Sequence, residues 1–175
     1  MKFRRCVCAC LLAITLPAVA SDITYQKKFG DWRAVISTHP MTDEQVCTVL
    51  YEKPVKARNV YYTSKDAFKL DFKGHGGITA FQYRFGKAIP SEMETVPDAD
   101  NNVITVPVFV AEVLDMPNLR VTGGTVLRTG ISLDISLRGL KEARNSLAKR
   151  CSWSDLPPLN DGAPDWAAWQ VTPKN

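Results

Sequence analysis

Hydrophobic and polar positions alternate through most of the middle of the chain with the period of two that puts successive side chains on opposite faces of a strand. Trp32, Ala34 and Ile36 alternate with Arg33, Val35 and Ser37. Phe68, Leu70 and Phe72 alternate with Lys69, Asp71 and Lys73, and Ile131, Leu133, Ile135 and Leu137 with Ser132, Asp134, Ser136 and Arg138. Residues 46–51 are a β-branched and apolar run containing Cys47, and 78–85 carry a further strand pattern with Phe81, Tyr83 and Phe85 in register. The Gly74-His75-Gly76-Gly77 segment separates 68–72 from 78–85, and this spacing predicts a hairpin with a four-residue loop. More strands are expected at 91–96, 103–110 and 119–127, the last interrupted by Gly123-Gly124 as a turn or bulge. Many short strands divided by Gly, Asn, Asp and Pro predict a mainly β fold: an antiparallel β-sandwich or barrel-like domain.

The period changes once, in the C-terminal half. Over 139–150, Leu140, Ala143, Leu147 and then Cys151 fall on one helical stripe, so the pattern predicts an α-helix whose apolar face, with Cys151, turns toward the sheet. Lys141, Arg144, Lys149 and Arg150 occupy the remaining arc and read as its solvated face. Residues 154–175 form a tail rich in turn residues, with Asp165 placed to cap a short turn that carries Trp166 and Trp169 on one side. Those indoles either pack back on the domain or form an aromatic patch that meets a partner.

The first 20 residues follow a different rule. Lys2, Arg4 and Arg5 precede an uncharged, largely apolar run over 6–16, and Ala18-Val19-Ala20 supplies a small-x-small site ahead of Ser21. This is the layout of a secretory signal peptide cleaved after Ala20, and the apolar run is too short to span a bilayer. A lipid anchor on Cys10 is the alternative use of the same segment. The organisation expected is therefore signal peptide 1–20, one β-rich domain 21–153, and the tail 154–175.

Export changes how composition is read. The chain carries 22 Lys and Arg against 18 Asp and Glu, and three of the cations belong to the signal. The mature product is near neutral, with no field to draw it to nucleic acid or an anionic membrane. Three of the five cysteines, Cys6, Cys8 and Cys10, also leave with the signal. The remaining pair, Cys47 and Cys151, reads as a disulfide in an oxidising compartment, periplasmic or secreted.

Chemistry is sparse. The sequence contains no HExxH, no P-loop, no GxGxxG after a strand and no GxSxG elbow, so no catalytic or cofactor-binding residue is assigned. Two histidines and two distant cysteines lack the spacing of metal ligands. His39 sits in an expected loop and His75 in the glycine turn; without a nucleophile elbow, that turn is a weak match to an oxyanion loop. His75, Trp166 and Trp169 are the candidate partner contacts.

Phe29-Gly30-Asp31-Trp32-Arg33-Ala34, then Cys47 in a strand, then Ile135-Ser136-Leu137-Arg138-Gly139-Leu140-Lys141-Glu142-Ala143 entering a helix, resemble the invasion-associated locus B family. The resemblance runs in order over most of 29–148. It departs where that family carries a second cysteine soon after its G-D-W and a further pair in its middle, and Leu140 stands where an aromatic is usual. The resemblance implies a β-rich fold, no enzymatic activity and an envelope or surface location in a Gram-negative bacterium. Taken together, the sequence leads to an exported, non-enzymatic protein that binds a protein partner. The rivals are a periplasmic inhibitor or immunity protein blocking a cell-wall enzyme, and a hydrolase with an unrecognised acid pair or histidine site.

Overall fold

The computed structural model describes residues 22–72, 77–96 and 103–156. Ten strands and one helix follow each other as β1 (Asp22–Phe29), β2 (Trp32–Thr38), β3 (Gln45–Tyr51), β4 (Asn59–Thr63), β5 (Ala67–Asp71), β6 (Ile78–Phe85), β7 (Glu94–Thr95), β8 (Val103–Pro107), β9 (Asn118–Thr125), β10 (Gly130–Ser136) and α1 (Leu140–Cys151). A 3₁₀ turn at Ala111–Asp115 joins β8 to β9. The strands make two antiparallel sheets, a large one ordered β1-β2-β3-β4-β5-β8 and a small one ordered β10-β9-β6-β7. The fold is mainly β and sandwich-like, with its helix in the C-terminal half.

Alternation explains the core. In the large sheet one cross-strand row runs Ala34, Val49, Tyr62, Phe68, Val106, all fully buried. In the small sheet Phe85, Leu119 and Ile135 form one such row and Tyr83, Val121 and Leu133 the next. Facing rows meet in one core: the Phe68 and Phe85 rings lie 6.0 Å apart, and Trp32, buried on β2, donates its Nε1–H to the carbonyl of Ser136 at the end of β10 at 2.9 Å. Directly opposite side chains in each row are the unit that stabilises a sheet.

Helix α1 packs on β1, β2 and β3 with Leu140, Ala143, Arg144 and Leu147 buried. Cys151, at its last turn, is bonded to Cys47 on β3, with S–S 2.03 Å and Cα–Cα 6.3 Å. The Arg150 guanidinium lies over the Tyr25 ring of β1 at 4.6 Å, which ties the same helix end to the sheet's first strand.

The structure corrects several expectations. Strands β5 and β6 do not pair: β5 belongs to the large sheet and β6 to the small one, so the chain changes sheets between Asp71 and Ile78. Alternation shows that each run has one buried face, but two facing sheets satisfy that pattern as well as a hairpin does. Gly123-Gly124 does not interrupt β9, which pairs through both glycines with β6 and β10. The irregularity sits opposite, between Ile78 and Ala80 of β6, and the sheet turns later, at 126–129. Glycine is needed at 123 because a Cβ there would lie 2.7 Å from the Ala80 carbonyl oxygen. The expected strands 91–96 and 103–110 shrink to β7 and β8. Strands β1 and β4 are additions: β1 is exposed along most of its length and has no apolar face to declare itself.

Arg144 is the sharpest correction. It is 3 % exposed rather than solvated. Its position four residues after Leu140 and three before Leu147 places it on the apolar stripe itself. Burial is tolerated because Asp66 is there to pair with it: Nε–Oδ1 is 2.9 Å and Nη2–Oδ2 is 3.3 Å, while Nη2 also donates to the Ser154 carbonyl. Tyr62 completes the group, its hydroxyl donating to Asp66 Oδ1 at 2.7 Å. Asp66 follows β4 in the left-handed region at φ 47°, which Asp tolerates better than most side chains.

Candidate functional site

Two regions concentrate polar chemistry or exposed apolar surface, and each follows from local sequence. The first is a clasp. Gly30 and Asp31 make the tight turn between β1 and β2, with Gly30 at φ 55°. The turn seats on the junction between β10 and α1, where Gly139 has φ 91°. Approach is close enough that a Cβ on Gly30 would lie 2.5 Å from the Arg138 carbonyl oxygen, and one on Gly139 would lie 2.2 Å from that of Phe29. Only glycine fits either place. The Asp31 amide donates to the Arg138 carbonyl at 3.1 Å, and the Glu52 amide to the Asp31 carbonyl at 3.0 Å.

The Asp31 side chain is 7 % exposed and lies 3.2 Å from Arg138 Nη2 and 3.6 Å from Lys53 Nζ. The Ser136 hydroxyl bond chiefly holds its carboxyl below the usual carboxylate range; burial opposes this, and Arg138 and Lys53 reinforce it. Glu52 is also lowered, first by its bond from Lys28, with Arg33 adding attraction. Tyr51 caps the group, its hydroxyl accepting from the Ser136 amide at 3.2 Å, and burial raises its phenol. Both carboxyls are thus held ionised and paired, the reverse of what a general acid requires. The clasp joins the two ends of the domain; its chemistry is that of a structural lock.

The second region is the end of the small sheet where β9 turns into β10. Val126 and Leu127 stand at the tip of this hairpin, 53 % and 71 % exposed. The tip is held rigidly: Thr125 and Thr129 share a 2.7 Å hydroxyl bond, and the Arg128 amide donates to the Thr125 carbonyl at 2.9 Å. The Val126 amide donates to the Gly77 carbonyl at 2.9 Å, so the tip adjoins the last residue of the glycine segment. Two adjacent exposed aliphatic side chains thus stand on a well-bonded turn.

Of the residues singled out from sequence, Cys47 and Cys151 are brought together. His39 is an exposed residue of the β2–β3 turn, where its Nδ1 accepts from the Met41 amide at 3.3 Å. Ala18, Ala20, Ser21, His75, Trp166 and Trp169 lie outside the described residues, as does most of the tail. Among the described residues no group of three or more His, Cys, Asp or Glu side chains is placed to hold a metal ion. No helix among them is long and apolar enough to cross a membrane. Sequence reasoning passed over Val126-Leu127; its signal was an aliphatic pair directly before Arg128-Thr129-Gly130, where a turn demands polar residues. No family model, curated protein or solved structure matches the chain.

Proposed function

We propose that the protein is an exported, non-enzymatic envelope or secreted protein that binds a protein partner through the β9–β10 end of its small sheet. The binding part of this reading rests on one observation, the exposed Val126-Leu127 pair on a rigid hairpin tip beside Gly77. Export is supported by the signal-like first 20 residues and by the bond between the two cysteines that remain after them. Similarity to the invasion-associated locus B family is supported by the clasp: the residues that carry it, Gly30-Asp31-Trp32 and Ser136-Arg138-Gly139, pack against each other as one unit.

A photo-crosslinking side chain placed at Leu127 in cells tests the proposal, with the same group at Lys69 on the outer face of the large sheet as control. A discrete adduct from position 127, competed away by unlabelled protein and missing from position 69, is expected. No adduct from 127, or the same adducts from both positions, overturns it. The same tip also suits a second reading, an inhibitor or immunity protein that presents a loop to a cell-wall enzyme. Inhibition of lysozyme or an amidase by the purified protein, lost in Leu127→Asp, would select that reading.

A further inference from the structure

The outer face of the small sheet carries a polar cleft away from the hairpin tip. Antiparallel pairing sets its floor in two cross-strand rows: Arg84 and Arg120 in one, with Asp134 opposite Arg120 at its margin, and Gln82, Thr122 and Ser132 in the next. Pro90 forms the wall, and the segment that carries it is pinned to β6 because the Ser91 amide donates to the Tyr83 carbonyl at 2.7 Å while Ser91 Oγ accepts from the Tyr83 amide at 3.0 Å. The open cleft has a volume of about 250 Å³.

Charge in this cleft is unbalanced. Arg84 and Arg120 stand directly opposite each other, an arrangement that like charges disfavour in a sheet. The carboxylate beside Arg120, Asp134, is already engaged: Oδ2 accepts from Arg120 Nε at 3.0 Å and Oδ1 accepts from Asn118 Nδ2. Arg84 is half-buried and makes no ion pair or hydrogen bond among the described residues. Gln82, Thr122 and Ser132 likewise have side-chain donors without partners there. Two guanidinium groups, of which only Arg120 is paired with a carboxylate, with neutral donors alongside, make a receptor for one more negative charge. Planar forks match the two oxygens of a carboxylate or phosphate. The volume is below the roughly 300–1,000 Å³ of a site for a whole drug-sized molecule, so it admits a headgroup rather than an entire ligand.

We propose that this cleft binds a single oxyanion group, a carboxylate or a phosphate, at the end of a polar ligand. The site is separate from the partner surface at Leu127, and failure of either leaves the other standing. The test follows the arginine side-chain N–H resonances of the oxidised protein by NMR while inorganic phosphate, and separately N-acetylglycine, is added at constant ionic strength. Saturable shifts at Arg84 and Arg120, with a millimolar dissociation constant, are expected from at least one probe and not from chloride. The tighter probe identifies the source of the oxyanion. Arg84→Gln should weaken binding by about tenfold or more, because it removes a charged fork. Asp134→Asn should tighten it severalfold, because it removes the competing carboxylate, and this arm decides the matter if Arg84→Gln fails to fold. No saturable shift with either probe, or an affinity unchanged in Asp134→Asn, overturns the proposal.

Discussion

Replacing Arg144 with Met should cost this protein a large part of its stability. Arg144 is 3 % exposed, and its guanidinium forks onto Asp66 and reaches the Ser154 carbonyl. Met fills similar volume, so the cavity contribution is small. What remains is Asp66, 15 % exposed, without its cation and beside the Tyr62 hydroxyl. Removing one partner of a buried pair costs about 3–5 kcal/mol, against a total stability of roughly 5–15 kcal/mol for a domain. At about 2–4 °C of Tm per kcal/mol for a chain of this size, the melting temperature should fall by roughly 6–20 °C. Urea unfolding of the oxidised protein, followed by tryptophan fluorescence, measures the loss directly, with the m-value expected to hold. Adding Asp66→Asn to Arg144→Met removes the stranded charge and should recover about half of the loss or more, because neighbouring substitutions couple. A loss below about 1 kcal/mol in Arg144→Met would refute the reasoning, since that is the scale of a solvated surface pair.

Other consequences are independent of that pair. Gly139→Ala should destabilise by several kcal/mol or prevent folding, because its Cβ meets the Phe29 carbonyl at 2.2 Å and its φ is 91°; Gly130→Ala, where nothing lies within 4 Å, is the control that should stay near the parent in thermal melts. Burial chiefly, then the bond to Asp66, pushes the Tyr62 phenol far above its ordinary value of 10.0. The native state therefore keeps a proton that the unfolded chain releases, so this stabilisation is complete below about pH 10 and declines as pH rises above it. Unfolding free energy measured across that range should fall less steeply in Tyr62→Phe than in the parent. The Cys47–Cys151 bond closes a separation of 104 residues, so Cys47→Ala with Cys151→Ala should lower stability by up to ~4.7 kcal/mol in the chain-entropy model, read from the urea midpoint.

Much of this architecture is legible in the sequence, for reasons that particular residues make plain. Trp32, Ala34 and Ile36, and likewise Ile131, Leu133 and Ile135, alternate strictly because each strand has one buried and one wet face. The stripe Leu140, Ala143, Leu147, Cys151 puts a thiol on the buried side of α1, and Cys47 waits on β3 beneath it. Pairing partners are harder to read. The hydrophobic face of β5 does not say that Phe68 will pack on Phe85 across the layers instead of pairing along a hairpin. Arg144 was hidden by its charge, since its burial depends on Asp66, 78 residues away in sequence. The clasp was half visible: the two motifs stood out as words, but their contact needs two left-handed glycines to bring Phe29 and Arg138 together. The Arg84–Arg120 cleft leaves no mark in sequence because cross-strand neighbours of β6 and β9 depend on register alone.

Intact mass and N-terminal sequencing of the protein recovered from the cell envelope or the medium put the whole account at risk in one measurement. A chain that starts at Ser21 and lacks the two thiol hydrogens of Cys47 and Cys151 is the predicted product. A chain that still begins with Met1, or one whose two cysteines both react with a thiol reagent before reduction, would contradict it.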